Sequence, residues 1–141
     1  MNSFIASILL IDDDDDLRTL FAGVLRSAGY TVDTASDGKA GLALYSTGLH
    51  ELVITDIVMP DMDGLELLDA LRQYNPRPRV IAMSGGSKLS VPLYLSTARQ
   101  LGAQRVLSKP IELHALLQAV AEVLNGAAPD QIIRGPGMEA L

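Results

Sequence analysis

The chain has 141 residues, of which 11 are basic and 17 acidic, for a net charge of −6, and it contains no cysteine. That length fits one domain able to bury a real core. The acidic balance argues against a nucleic-acid-binding surface, which needs clustered Lys and Arg, and the missing thiols exclude disulfides and thiolate metal sites.

In chain order, the apolar run at 5–11 predicts a strand that ends on Asp12 and Asp13. Leu17, Leu20, Phe21, Val24 and Leu25 then share one helical stripe, closed by Gly29. Asp14, Asp15 and Asp16 fall at the start of that helix, where negative charge is favourable. The run does not suit an EF-hand, since the required Gly and distal Glu are missing. A second strand at 31–35 leads to Ser36, the predicted N-cap of a helix over 37–45. The third strand, 52–55, runs into Asp56. Gly64 follows, in a loop shaped by Met59 and Pro60, and is expected to serve a positive φ. Leu65, Leu68, Leu71 and Arg72 suit a third helix, stopped before Asn75-Pro76.

A fourth strand at 80–83 delivers Ser84. Beyond it, 85–92 reads as a Gly- and Ser-containing loop, and 89–101 as a fourth helix with Gly102 at its end. Strand 105–107 leads to Lys109-Pro110, and Leu113, Leu116, Leu117, Val120 and Leu124 stripe a fifth helix. Residues 125–141 hold Gly126, Pro129, Gly135, Pro136 and Gly137 and predict a loose extension, too short for a second domain. His50 and His114 read as surface residues. The amino terminus lacks a signal peptide's charged start and apolar stretch, and no apolar run approaches a membrane span. A cytoplasmic protein without a membrane partner is the simplest expectation.

Strict strand–helix alternation predicts a parallel sheet with right-handed crossovers and helices on both faces. Most of the strands are nearly continuously apolar, as strands covered on both sides must be. Sheets of this kind place reactive groups at the carboxyl ends of their strands. Here four strand ends deliver an acid pair, a lone acid, a hydroxyl and a lysine. Converging on one edge, they would hold a divalent cation and a phosphoryl group.

Leu10-Ile11-Asp12-Asp13, the stretch from Asp56 to Gly64 reading D-x-x-M-P-D-M-D-G, Met83-Ser84-Gly85, Leu101-Gly102-Ala103 and Lys109-Pro110 occur in this order, most of them at predicted strand ends. Each fragment alone is weak, but together they resemble the receiver domain of two-component response regulators, from about residue 7 to 124. The resemblance implies a single flavodoxin-like (βα)5 doubly wound α/β domain, with a five-stranded parallel sheet of order 2-1-3-4-5. It divides the chain into a receiver domain at 1–124 and a Gly/Pro-containing tail at 125–141.

It further implies that Asp56 is the phosphoacceptor, whose carboxylate attacks the phosphorus of a phosphohistidine to form an acyl phosphate. Mg²⁺ would be held by Asp12, Asp13, Asp56 and the backbone carbonyl of Val58, with water and a phosphoryl oxygen completing an oxygen shell. Asp13 would ligate most directly, and Asp12 partly through water. Lys109 would neutralise charge on the phosphoryl group, and Ser84 would donate a hydrogen bond to it. A cis bond before Pro110 belongs to the same pattern. The implied partners are a histidine kinase or histidine phosphotransfer protein and a downstream protein target, with no nucleic acid. The protein would catalyse only its own phosphorylation and dephosphorylation.

Three departures stand out. Val106 occupies a position that is often Tyr or Phe in the family, so an aromatic ring cannot relay the signal there. Ile111 stands where Phe is common. Ser84 and Lys109 lie 25 positions apart, a few more than the pattern, which places extra length at 85–92. One alternative is a receiver-like binding module independent of phosphorylation, against which the intact constellation argues. Another is an aspartate-dependent phosphohydrolase, but that chemistry needs a second Asp two residues after the nucleophile, where Val58 stands. A flavodoxin-like cofactor carrier is disfavoured by the scarcity of aromatics and by the acid cluster. A single-domain regulator and a receiver belonging to a larger protein are equally compatible with the sequence.

Overall fold

Along each strand of a sheet covered on both faces, alternate side chains must enter separate cores. In a computed structural model of the chain, residues 5–59, 62, 64–84 and 91–126 are described, those at 91–95 by backbone alone. Ten elements alternate: β1 (Ser7–Ile11), α1 (Asp15–Ser27), β2 (Thr31–Ala35), α2 (Gly38–Thr47), β3 (Leu52–Asp56), α3 (Gly64–Leu71), β4 (Arg79–Ser84), α4 (Val91–Gln100), β5 (Arg105–Ser108) and α5 (Leu113–Leu124). Ile8, Leu10, Leu52, Ile54, Ile81, Met83 and Leu107 pack on one side with Phe21, Leu25, Leu116 and Val120 from α1 and α5. Leu9, Ile11, Val53, Val80, Ala82 and Val106 pack on the other with Leu67, Leu68, Leu71 and Ala98 from α3 and α4.

All strand pairs are parallel, and the sheet order is β2-β1-β3-β4-β5. The fold expected from the resemblance is therefore the fold observed. Register brings the carboxyl ends level: Ile11 lies opposite Thr55, Asp56 opposite Met83, and Ser84 opposite Ser108. Asp56 and Ser84 are the last residues of their strands rather than the first residues of loops, so sheet pairing fixes both.

The helix ends follow local chemistry. Asp14 caps α1, its carboxylate accepting from the N–H groups of Asp16 and Leu17 at 3.0 Å each. Gly29 closes α1 with φ of 103°, while the N–H of Tyr30 returns to the carbonyl of Leu25 at 3.2 Å. The cap of α2 is Asp37 and not the expected Ser36: its side chain accepts from the N–H of Ala40 at 2.8 Å. His50 also departs from expectation. It is buried, its Nε2 lies 2.8 Å from Asp33 Oδ2, and its ring stacks on Tyr45, which Tyr74 meets edge-on. Helix α4 spans Val91–Gln100, so most of the loop expected at 85–92, and nearly all of the tail expected at 125–141, lie outside the described residues.

Candidate functional site

The acid pair follows β1 directly. Asp12 is wholly buried; its N–H donates to the carbonyl of Ala35 at 3.2 Å, and its carboxylate accepts from the N–H of Asp14 at 3.0 Å. Asp13 is exposed beside it. Asp56, 5 % exposed, ends the neighbouring strand at the point where the chain order of the sheet reverses. One carboxylate oxygen from each of Asp12, Asp13 and Asp56 lies within 4.8 Å of the others. Lys109 enters from the end of β5, its Nζ 2.9 Å from Asp56 Oδ2 and 3.4 Å from Asp12 Oδ2. The four charged residues singled out in the sequence thus meet in space, although Lys109 and Asp12 are 97 positions apart.

The backbone ties around them are short. The N–H of Lys109 donates to the carbonyl of Ser84 at 2.7 Å, and that of Ile57 to the carbonyl of Met83 at 2.9 Å. Ser84 is buried at the end of β4, next to the pair that joins Met83 to Asp56. The Lys109-Pro110 bond is cis, as the resemblance implied. Val58, two residues beyond Asp56, is 43 % exposed. Val106 is fully buried within the core packed by α3 and α4.

Gly64 serves a purpose other than the expected positive φ. A Cβ on it would stand 2.5 Å from Ile57 Cα and closer still to the carbonyl oxygen of Asp56, while its N–H donates to the carbonyl of Ile57 at 2.6 Å. The start of α3 is pressed against the backbone of the phosphoacceptor candidate, and only glycine allows that approach.

One residue near the site escaped the sequence reading. Arg18, on the first turn of α1, donates from Nη1 to the carbonyl of Asp12 at 2.8 Å and from Nη2 to Asp15 Oδ1 at 2.6 Å. It ties the acidic loop to the helix. The available signal was an arginine two residues beyond a five-residue acidic run and three after Asp15, a spacing that also fits an ordinary helix-surface ion pair.

Electrostatically the cluster sets three carboxylates against one ammonium. Burial pushes the Asp56 carboxyl above the usual carboxylate range; the hydrogen bond and charge of Lys109 oppose this, and Asp12 and Asp13 add to it. Burial pulls the Lys109 ammonium down, but the hydrogen bond and charge of Asp56, with Asp12, outweigh it and hold the group above its ordinary value. Burial thus dominates at Asp56, and the neighbouring carboxylates dominate at Lys109. Asp56 Oδ1 is moreover buried with no hydrogen-bond partner among the described residues. An orphaned carboxylate oxygen among other hard oxygen donors fits a small divalent cation such as Mg²⁺.

A doubly wound sheet of this order, with acids at its switch point and a lysine facing them, defines the receiver class. The chain belongs to the response regulator receiver family, whose domain it matches over residues 8–121. Among solved structures it is similar to the chemotaxis response regulator CheY4 of Vibrio cholerae, with a TM-score of 0.77 and 28 % identity, covering 85 % of this chain and 99 % of that one. It is also similar to a CheY-like receiver domain protein from Methanospirillum hungatei, with a TM-score of 0.79 and 29 % identity, covering 86 % of this chain and 95 % of that one. Among curated proteins it is 33 % identical over 135 residues to the DNA-binding transcriptional regulator NtrC of Azospirillum brasilense, covering 96 % of this chain and 27 % of that protein. It is 30 % identical to the alkaline phosphatase synthesis transcriptional regulatory protein PhoP of Bacillus subtilis, covering 94 % of this chain and 55 % of that protein.

The chain therefore spans between about a quarter and about half the length of these two curated relatives. Both are transcriptional regulators, so the charge argument against nucleic acid speaks for the surface of this domain and not for any longer protein. Receiver domains are signalling modules that bind Mg²⁺ through an acidic pocket and take phosphate from histidine kinases. Among the described residues, no helix is long and apolar enough to cross a membrane.

Proposed function

We propose that Asp56 is the phosphoacceptor of a two-component phosphorelay, and that the receiver unit at 1–124 changes its surface for a partner protein once it is phosphorylated. The observation that carries this reading is the unequal state of the two Asp56 oxygens: Lys109 holds Oδ2, and Oδ1 is buried without a partner among the described residues. An Asp56 oxygen attacks the phosphorus of a phosphohistidine, the P–N bond breaks, and the imidazole leaves with its electron pair and takes up a proton. Lys109 then moves from a carboxylate neighbour to a counter-charge for the phosphoryl oxygens. Ser84, buried at the adjacent strand end, supplies a hydroxyl donor.

Asp12, Asp13, Asp56 and the carbonyl of Val58 would hold Mg²⁺, which when bound offsets the charge that builds on the transferring group. Arg18 acts on this chemistry only by fixing the loop that carries Asp12 and Asp13. The donor is a histidine kinase or histidine phosphotransfer protein, encountered in the cytoplasm. The recipient of the signal is a protein that reads a surface set without an aromatic at Val106. The domain catalyses nothing beyond its own phosphorylation and dephosphorylation.

The test is intact-mass spectrometry after incubation with acetyl phosphate or phosphoramidate and Mg²⁺. One phosphoryl group is expected on the parent protein and none on Asp56→Asn. Equal incorporation by the variant would overturn the assignment.

A further inference from the structure

The opposite edge of the sheet carries a second, unrelated chemistry. Of the 11 basic residues, five arginines gather there: Arg72 after α3, Arg77 in the following loop, Arg79 opening β4, Arg99 in the last turn of α4, and Arg105 opening β5. Two are matched by acids, since Arg72 lies 3.2 Å from Asp69 and Arg105 lies 3.8 Å from Glu122. Among the described residues, no hydrogen bond or ion pair engages the guanidinium groups of Arg77, Arg79 or Arg99. Arg99 sits at a helix carboxyl end, where positive charge is favourable on its own account. Arg77 has no such explanation.

Arg77 and Arg99 instead border a common open cavity of about 630 Å³, with Ser96, Gln100, Gly102 and Gln104 around it. Its size is that of a small-molecule pocket. Gly102, with φ of 107°, turns the chain here and presents no side chain. A Cβ on it would lie 3.8 Å from Arg77 Nη1 and 4.0 Å from Arg72 Cγ, so two arginine side chains flank one bare stretch of backbone. Arg72 Nε is a buried donor without a partner beside the same turn. Planar guanidinium forks suit phosphate and carboxylate oxygens, and unmatched arginines on a chain of net charge −6 are where an anion would be drawn.

We propose that this cavity binds a small anionic ligand through a phosphate or carboxylate group gripped by Arg77 and Arg99, at the end of the sheet opposite Asp56. The inference does not depend on phosphorylation of Asp56.

The test is a ¹⁵N–¹H NMR titration of the metal-free protein, at constant ionic strength, with inorganic phosphate, pyrophosphate and citrate in separate arms. Saturable shifts are expected at the amides of Gly102 and Gln104. A stronger response to pyrophosphate identifies phosphate chemistry, and a stronger response to citrate identifies carboxylate chemistry. The Arg77→Gln/Arg99→Gln variant is expected to bind at least about tenfold more weakly, the loss of two charge-assisted contacts, with the rest of its spectrum retained. Lys39→Gln, on exposed α2, is expected to bind like the parent. Shifts that rise linearly in all three arms, or that are equal in the double variant, would overturn the proposal.

Discussion

The two edges of the sheet treat charge in opposite ways. At the carboxyl edge, Asp12 and Asp56 are buried to 0 and 5 % exposure, Asp56 held by strand pairing and Asp12 by backbone hydrogen bonds just beyond β1, with one lysine among the described residues to answer three carboxylates. At the amino edge Arg77, Arg79 and Arg99, without an acid partner among the described residues, are exposed on loop, strand start and helix end. Buried like charges raise the free energy of the fold and tie proton binding, cation binding and stability together. Exposed charges in water do none of this, because solvent screens them. Strain of the first kind marks chemistry that needs fixed geometry; the second kind suits electrostatic capture of a ligand.

The largest expected difference between the edges is in phosphoryl transfer. Asp13→Ala removes one oxygen donor from the cluster and is expected to slow phosphorylation by acetyl phosphate about 100-fold, and withdrawal of Mg²⁺ by at least as much. Arg79→Gln, at the other edge, is expected to change the rate less than about twofold. Equal rates in Asp13→Ala and the parent, measured by phosphoprotein mass against time, would erase the contrast.

Stability is expected to separate the edges next. Because burial raises the Asp56 pKa in the fold, its ionisation is less favourable there than in the unfolded chain. Asp56→Asn should therefore stabilise the metal-free protein at pH 7 by about 1 kcal/mol, whereas Arg79→Gln should stay within about 0.5 kcal/mol of the parent. The sign fixes the pH dependence. As pH falls through the raised folded pKa toward the unfolded value, the parent gains stability from Asp56 protonation and the gap to Asp56→Asn closes. Denaturant melts from pH 7 downward measure it, and a gap that widens on acidification would refute the strained-pocket reading. Mg²⁺ at ten times its dissociation constant should stabilise the parent by about 1.4 kcal/mol.

The smallest expected effect concerns the lifetime of the phosphoryl group. Hydrolysis needs an in-line water, and the exposed side chain of Val58, two residues after Asp56, carries no group to orient one. Val58→Asn is expected to speed phosphate loss about threefold. Gly86, two residues beyond Ser84 as Val58 is two beyond Asp56, lies outside the described residues. An unchanged or slower decay in Val58→Asn would show that the side chain at this position does not set the lifetime.

Much of this was legible before any coordinates. Apolar runs ending in Asp12-Asp13, Asp56, Ser84 and Lys109 located the strands and their reactive ends, because a strand buried on both faces leaves little freedom of interpretation. What failed were features decided across the chain. His50 lies against Asp33 and Tyr45, a burial invisible in its local Leu49-His50-Glu51 setting. Gly64 was assigned to a positive φ because loop glycines commonly are, yet its need comes from the backbone of Asp56 and Ile57. Ser36 and Asp37 are adjacent and equally good caps; only the turn geometry selects Asp37. Arg105, charged and fully buried, contradicts the usual exposure of arginine and depends on Glu122 from α5.

The most direct test of the central claim is chemical mapping of the modified residue. Protein phosphorylated with acetyl phosphate and Mg²⁺ is treated with borohydride, which reduces an aspartyl phosphate to homoserine with loss of phosphate, and is then digested and sequenced by tandem mass spectrometry. Homoserine at position 56 alone is the expected result. Homoserine at position 12 or 13, or its absence from a protein that has incorporated phosphate, would contradict the assignment of Asp56 as the phosphoacceptor.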